Sequence, residues 1–395
     1  MSFTLELVLD DIFENNIPLE IKLEKGGCFM RHLILAINPG STSTKVALFE
    51  GTNCVKQKSL SHSIEDISRF ERVADQFEYR RDVILDWLKE EGFKTSELAC
   101  VVGRGGLLRS MPSGTYKVTD AMIEDLKIGI QGEHASNLGG IIAKSIGDNE
   151  GIDAFIVDPV AVDEFEDSAR ISGLPELPRK SLVHALNVKA VSRKIAKSMG
   201  KKLDELNLVV AHLGGGITIS PLLKGKIIDG NNANEAGPFS PERAGTLPVG
   251  DLVKMAYSGE YTYKELRKKI IGQGGLVGYL GTNDAREVEK MIQNGDKSAE
   301  LVFNAMAYQI GKEIGACAAV LCGKVDSIII TGGLAYSKRL TDYVTEMVKF
   351  IAPVEVVPGE DEALALAEGA YRVITNEEKA KIYEEEVFNN DKELR

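Results

Sequence analysis

The chain is expected to be an α/β protein built as two related halves that face each other, and three observations lead there. Short runs of Val, Ile and Leu alternate with longer segments of helical character, as they do when strands and helices follow one another along a chain. At 395 residues the chain is long for one hydrophobic core, so two domains are the expectation. One strand–turn–strand unit also occurs twice. Leu33-Ile34-Leu35-Ala36-Ile37 enters the turn Asn38-Pro39-Gly40-Ser41-Thr42-Ser43-Thr44 and leaves through Lys45-Val46-Ala47-Leu48-Phe49. Leu208-Val209-Val210-Ala211 enters His212-Leu213-Gly214-Gly215-Gly216 and leaves through Ile217-Thr218-Ile219-Ser220. Aligned without a gap, Asn38 meets His212, Gly40 meets Gly214, Thr44 meets Thr218 and Gly51 meets Gly225, always 174 residues apart. A unit recurring at that distance points to duplication.

Each turn is small and polar between apolar strands. Backbone N–H groups and hydroxyls in such a turn stabilise anionic oxygens without bulky side chains, so the two turns are expected to hold a polyphosphate between them. Two other phosphate-binding patterns are excluded. No GxxxxGK[ST] run is present. Gly272-Gln273-Gly274-Gly275-Leu276-Val277-Gly278 follows the basic stretch Arg267-Lys268-Lys269 rather than an apolar strand, so it is not read as a dinucleotide fingerprint.

Between and after the turns, the pattern predicts helices over Asp82 to Glu91, Thr119 to Ile128, Ala135 to Ile146 and Asn187 to Met199. It predicts strands over Leu98 to Val102 and Ala154 to Val157. The apolar segment Ala299 to Cys322 has helical length, and its Gly311 and Gly315 suit close helix packing. Ser327-Ile328-Ile329-Ile330 runs into Thr331-Gly332-Gly333, and a helix is expected after Ser337. Val354 to Val357 meets Pro358-Gly359-Glu360-Asp361-Glu362, which opens a helix to Ile374. The acidic residues after Asn376 are expected to form a surface tail or a terminal helix.

Composition narrows the class. Apolar residues make up 44% and charged residues 27%, ordinary for a globular protein. No apolar run reaches the roughly 20 residues of a spanning helix. A net charge of −12 argues against nucleic acid as the main partner, because duplex binding needs clustered cations. Cys28, Cys54, Cys100, Cys317 and Cys322 have neither zinc-ligand spacing nor a CxxC pair, which reads as reduced thiols in the cytoplasm. The first 29 residues are acidic and lack the basic start of a signal peptide. Glu24-Lys25-Gly26-Gly27 can be encoded by a purine-rich run like a ribosome-binding site, so translation is expected to start at Met30. Residues 1–29 would then be a mis-assigned extension, the alternative being a genuine N-terminal strand and turn.

Asn-Pro-Gly-Ser-Thr-Ser-Thr-Lys at Asn38, His-Leu-Gly-Gly-Gly at His212 and Thr-Gly-Gly at Thr331, in this order from Met30 to about Ile374, resemble the acetate and butyrate kinase family. Pro39, Gly103-Arg104-Gly105-Gly106 and Val357-Pro358-Gly359-Glu360-Asp361-Glu362 are more similar to its butyrate branch. The resemblance implies two duplicated ribonuclease H-like (actin-like ATPase) domains with a nucleotide cleft between them. Domain I would comprise residues 30–160 plus 365–395, and domain II residues 161–364. It also implies reversible transfer of a phosphoryl group from ATP to a short-chain carboxylate, butyrate first. Magnesium would assist, and the protein would be a homodimer or an assembly of dimers.

Residue by residue, the resemblance places Asn38 at the phosphate and metal region, with Gly40, Ser41, Ser43 and Lys45 in the same loop. Arg104 and Arg243 would hold the substrate carboxylate and the transferring phosphoryl group, and His184 would donate to that group. Asp158 and Glu362 would support magnesium from the outer shell. His212, Gly214, Gly215 and Gly216 would form the second phosphate loop, and Gly332 and Gly333 would lie against the adenosine. Acetate kinases carry histidines on both sides of the first arginine, whereas here Gly103 precedes Arg104, and the smaller residue is expected to make room for a longer acyl chain. A carboxylate nucleophile needs no strong base, only relief of repulsion between two anions and in-line positioning, which paired arginines supply. Two rivals remain open at this point. A sugar kinase of the same superfamily would use Asp158 as base toward a hydroxyl, and an ATP-switched chaperone or scaffold would need a client-binding block that is not evident here.

Overall fold

The computed structural model describes residues 33–390, and the expected start at Met30 lies outside the described residues. The strands are Leu33–Pro39 (β1), Ser43–Glu50 (β2), Asn53–Ser61 (β3), Leu98–Arg104 (β4), Thr115–Lys117 (β5), Asp153–Val157 (β6), Asn207–Leu213 (β7), Ile217–Leu223 (β8), Lys226–Ile227 (β9), Ser327–Gly332 (β10), Val354–Pro358 (β11) and Lys381–Ile382 (β12). They form two sheets, ordered β12-β5-β6-β4-β1-β2-β3 and β11-β10-β7-β8-β9. In both, a three-stranded antiparallel meander is followed by two parallel strands on the far side of its first strand. The order β3-β2-β1-β4-β6 thus recurs as β9-β8-β7-β10-β11, the duplicated ribonuclease H-like arrangement.

Both faces of the central strands β1 and β7 are buried, as in sheets covered on both sides, while the edge strands β3 and β11 stay largely exposed. Leu33, Leu35 and Ile37 of β1 pack with Trp87 and Ile142 on one side. Ile34 and Ala36 pack with Leu366 and Ala370 on the other. In the second sheet, Val209 and Ala211 of β7 meet Phe303 and Ile310, and Leu208 and Val210 meet Val188 and Ile195.

The helices that position the site start at defined caps. Asp361 caps Glu362–Ile374 by accepting from Leu364 N, and Ser337 caps Lys338–Val348 by accepting from Leu340 N. Asp296 caps the long helix Lys297–Val320, which buries Phe303, Met306, Ile310 and Ile314 at helical spacing. Of its two glycines only Gly311 serves close packing, since a Cβ there would lie 2.7 Å from Met347 Sδ, whereas Gly315 faces open space. Among the described residues, no helix is long and apolar enough to cross a membrane.

One expectation is corrected and another is decided between its two forms. The gap-free match of the two hairpins fails beyond the turns. Pro39 pairs with Thr44 around a four-residue turn, whereas Leu213 pairs with Ile217 around three, so the repeat is one residue out of step from there on. Of the two forms expected after Asn376, the terminal helix is the one observed. β12 pairs with β5, and the following helix Tyr383–Asn390 buries Tyr383 and Val387 in the first core.

Candidate active site

The first glycine turn is closed by Gly40 N donating to Ser43 O at 2.7 Å. Arg80, from the helix Phe77–Glu90, is buried directly beneath it. Its Nη1 donates to Gly40 O at 2.7 Å and its Nη2 to Ser41 O at 2.9 Å. Ser41 is exposed, Ser43 is half-buried, and Lys45 stands exposed on β2. Thr44 is buried against His62, with its Oγ1 2.8 Å from Nε2. Burial is the main cause that lowers the His62 pKa to about 4, with Arg80 adding to it.

The second turn is closed by Gly214 N donating to Gly216 O at 3.1 Å. Ser240 Oγ donates to Gly215 O at 2.5 Å and accepts from Arg243 N at 3.1 Å. Arg243 Nη1 donates to Ala233 O, and a Cβ on Gly216 would stand 2.1 Å from that nitrogen. Gly216 is therefore glycine because a guanidinium occupies the place of its side chain. This brings Arg243, from a loop, against the second turn.

Three residues from distant parts of the chain meet at the end of β1. Asn38 Nδ2 donates to Glu362 Oε2 at 2.6 Å, Arg104 Nη1 lies 2.6 Å from Glu362 Oε1, and the same Nη1 is 3.4 Å from Asn38 Oδ1. Glu362 opens its helix, where a carboxylate also complements the helix dipole. Nearby, His212 Nε2 lies 3.3 Å from Glu360 Oε2, and Glu360 also accepts from Asn187 Nδ2. The His184 ring stacks on the His212 ring, with centroids 4.4 Å apart, and His184 Nδ1 is 2.8 Å from Thr218 Oγ1.

Electrostatics make both histidines neutral near pH 7. Burial, then His212, Arg243 and Arg104, hold the His184 pKa well below its usual value. Burial takes His212 to about 4, against the opposing pull of Glu362. With Nε2–H directed at Glu360, the buried Nδ1 of His212, which has no partner, is an unpaired acceptor rather than an unpaired donor. Burial and the neighbouring Glu362 push Glu360 upward.

Asp158 lies at the end of β6 and is committed elsewhere. Its Oδ1 accepts from Ser113 Oγ at 2.6 Å and Gly114 N at 2.8 Å, and its Oδ2 pairs with Arg193 Nη1 at 3.0 Å. Burial alone would raise its pKa, but Arg193 and Lys189 outweigh this and hold it below the usual carboxylate value.

Gly332 has φ +92, and a Cβ there would meet Leu213 O at 2.4 Å, whereas Gly333 faces open space. Gly333 lines a cavity of about 700 Å³ with Gly214, Gly215, Glu242, Asn283 and Ser337. A second, larger groove of about 1530 Å³ runs past Asn38, Lys45, Glu360 and Glu362.

The expectation that Gly103 makes room for an acyl chain is overturned. A Cβ there would lie 2.1 Å from Gly139 O, so the space beside Arg104 is filled by the backbone of the helix Asn137–Glu150. The same helix start brings His134 near Arg104, whose charge adds to burial in lowering the His134 pKa. His134 and Arg80 had no signal in the sequence. For Thr218 and Glu360, which lie in the motifs, the partners His184 and His212 could not be read, since they are met only through tertiary contact.

Among the described residues no three His, Cys, Asp or Glu side chains group as a metal cage. Glu362, Glu360 and Asn38 offer a few hard oxygen donors. That set fits magnesium arriving with a nucleotide, which keeps several waters and phosphate oxygens as ligands.

Comparison with known proteins agrees with this geometry. Residues 177–384 match the model of the acetokinase family. The chain is 56% identical over 355 residues to a protein named "Probable butyrate kinase" from Clostridium botulinum (strain Eklund 17B / Type B), covering 90% of this chain and 100% of that one. It is 54% identical, with the same coverage, to "Butyrate kinase 2" of Clostridium acetobutylicum. The fold is similar to the crystal structure of Porphyromonas gingivalis acetate kinase, with a TM-score of 0.72 at 21% identity over 87% of this chain and 99% of that one. It is also similar to a propionate kinase from Francisella tularensis, with a TM-score of 0.67 at 18% identity over 85% and 98%. With more than half of the chain matched by the family model and these relatives covered end to end, the chain belongs to the acetokinase family.

Proposed function

We propose that this protein transfers the γ-phosphoryl group of ATP to a short-chain carboxylate, butyrate first, giving acyl phosphate and ADP in a reversible reaction. A carboxylate oxygen forms a bond to Pγ in line with the bridging oxygen of ADP, whose bond to Pγ breaks, and no proton has to be removed. The chain's task is to bring two anions together and hold them. Arg104 and Arg243 take the carboxylate and the equatorial phosphoryl oxygens. Thr218 donates to His184 Nδ1, so that the neutral ring presents Nε2–H to the same oxygens. The two glycine turns, with Asn38, Ser41, Ser43 and Lys45 on one and His212 to Gly216 on the other, hold the polyphosphate. Gly332 and Gly333 lie against the adenosine, with open space beside Gly333. Glu362 and Asn38 would hold magnesium, which when bound neutralises charge on the β- and γ-phosphates.

The observation that carries this reading is the pairing of Asp158 with Arg193. A sugar kinase needs a carboxylate base facing its hydroxyl, and the candidate for that role is locked as an anion in a buried ion pair. Asp158 then acts on the site indirectly, by holding the end of β6 to the helix Ala185–Ser198. We further propose domain I as residues 30–160 plus 365–395 and domain II as 161–364, which the return of β12 to the first sheet supports. The four cysteines of the described residues are all free thiols, which supports a cytoplasmic setting, and we take the working unit to be a homodimer or an assembly of dimers.

A hydroxamate assay with ATP and magnesium against butyrate, isobutyrate, acetate and glucose tests the reading. Butyrate-dependent hydroxamate that disappears without magnesium is expected. ADP release with glucose and no hydroxamate would sink it.

A further inference from the structure

We propose that Arg80 is a positioning residue for phosphoryl transfer, holding the Gly40–Ser43 turn in its phosphate-binding form. The proposal rests on the kinase reading above for the identity of the anion.

Arg80 is 1% exposed, and every partner it has is neutral. Nη1 donates to Gly40 O at 2.7 Å, Thr44 Oγ1 at 3.2 Å and Ser43 O at 3.3 Å. Nη2 donates to Ser41 O at 2.9 Å and Gln76 Oε1 at 2.8 Å, and Nε donates to Gln76 Oε1 at 3.1 Å. A buried cation with no carboxylate beside it is costly, and burial lowers the pKa of this guanidinium. A purely structural peg would serve as well with a neutral amide, or with a carboxylate to balance the charge.

The geometry gives the charge a use. Three carbonyl oxygens of one turn converge on the guanidinium, which turns the polar underside of the loop inward. The amides of Ser41 and Thr42 donate to no protein acceptor among the described residues, and both residues are exposed. Successive free amides on a turn whose carbonyls are held behind it make an anion-binding concavity. A fixed positive charge directly behind that concavity adds to its potential without reaching the ligand. The second turn is held differently: the neutral hydroxyl of Ser240 takes Gly215 O, and the cation beside it, Arg243, donates to Ala233 O rather than to a carbonyl of the turn. The cation therefore lies under the turn that follows Asn38, next to Arg104 and Glu362, where phosphoryl charge is handled.

Calorimetric binding of AMP, ADP and the non-hydrolysable triphosphate AMP-PNP, each with magnesium, is measured for the wild type, Arg80→Lys and Gln76→Leu. Acyl-phosphate kcat and KM are measured alongside. Arg80→Lys keeps the charge but cannot span the three carbonyls. It is expected to bind AMP within about twofold of wild type, AMP-PNP about tenfold or more weakly, and to turn over about 100-fold more slowly. Gln76→Leu, which frees the far end of the guanidinium, should show the same pattern to a smaller degree. Equal weakening of all three nucleotides would reduce Arg80 to a general structural role and overturn the proposal, as would wild-type AMP-PNP binding and kcat in a folded variant. If Arg80→Lys does not fold, Gln76→Leu decides by the same criteria. The binding arm needs no acyl acceptor, so a wild type inactive on butyrate would overturn the kinase reading while leaving this test intact.

Discussion

Arg104 at the end of β4 and Glu362 at the start of the helix Glu362–Ile374 form an ion pair at 2.6 Å, and Asn38 hydrogen-bonds the other oxygen of the same carboxylate. The arginine is thereby aimed before any substrate arrives. Pre-orientation of this kind lowers the cost of organising charge during the reaction.

Arg104→Ala should accordingly lower kcat by about 10³-fold or more, the scale of a transition-state arginine. The fold should survive, because Glu362 keeps its bond to Asn38 and a partly exposed pair contributes little to stability. Steady-state kinetics beside a thermal melt test this. A kcat like that of the wild type would remove Arg104 from the mechanism.

Gly103→Ala and Gly216→Ala should fail in different ways. At Gly103 the new methyl would overlap the backbone carbonyl of Gly139, which cannot move without displacing the helix Asn137–Glu150, so a loss of about 1–3 kcal/mol or more is expected. At Gly216 the methyl would meet the end of the flexible Arg243 side chain. That variant should fold and lose turnover as the guanidinium is pushed aside. Urea denaturation and kinetics on both proteins separate the two, and an unchanged kcat in Gly216→Ala would argue against a role for Arg243.

Both turns are legible in the sequence as small, polar residues after apolar strands, whereas the roles expected of Arg104, Arg243 and Glu362 come from the resemblance to the family. Even the duplication is visible, although its one-residue mismatch is not, since turn length is decided by which carbonyl Gly40 N and Gly214 N reach. Arg80 could not be read, because in sequence it is one more polar residue just ahead of the helix expected from Asp82. Only the tertiary fold carries it beneath the Gly40 turn. The same holds for Glu360 with His212, and for Tyr383, which looked like part of an acidic tail and fills the first core.

Stability should fall as pH drops from about 6.5 toward 4. The His212 pKa is about 4 in the folded protein against about 6.5 in the unfolded chain. Between these values the unfolded state binds a proton that the folded state refuses, so the neutral ring's contribution is complete above about 6.5 and is lost as pH falls through 4. For this group the effect is at most on the order of 3 kcal/mol. His62 has the same sign. Glu360, raised in the fold, opposes them, but its side chain is nearly half exposed and its share is discounted accordingly. Thermal melts from pH 4 to 8 should show the slope, and His212→Asn should flatten part of it. An equally steep slope in that variant would place the titration elsewhere.

Asp158 gives the last test. It is a non-glycine residue with φ +38, buried to 1% exposure and held there by Ser113, Gly114 and Arg193. Positive φ is tolerated by Asn nearly as well as by Asp, so Asp158→Asn isolates the charge from the backbone. The variant removes the nearest counter-ion of the Arg193 guanidinium, which is itself 27% exposed and still faces Glu378 and Glu368. The loss should therefore lie at or below the low end of the about 3–5 kcal/mol of a broken buried pair. The folded pKa of Asp158 is depressed, so its stabilisation is present above the ordinary carboxylate pKa and is lost as pH falls through the folded value. The difference between wild type and variant should therefore be full at pH 7 and shrink in acid. If Asp158 were a base or a direct metal ligand, the variant would lose kcat at pH 7 with little change in melting temperature. As a clamp between β6 and the helix Ala185–Ser198, it should lose stability first, and kcat measured well below the melting temperature should fall far less than in Arg104→Ala.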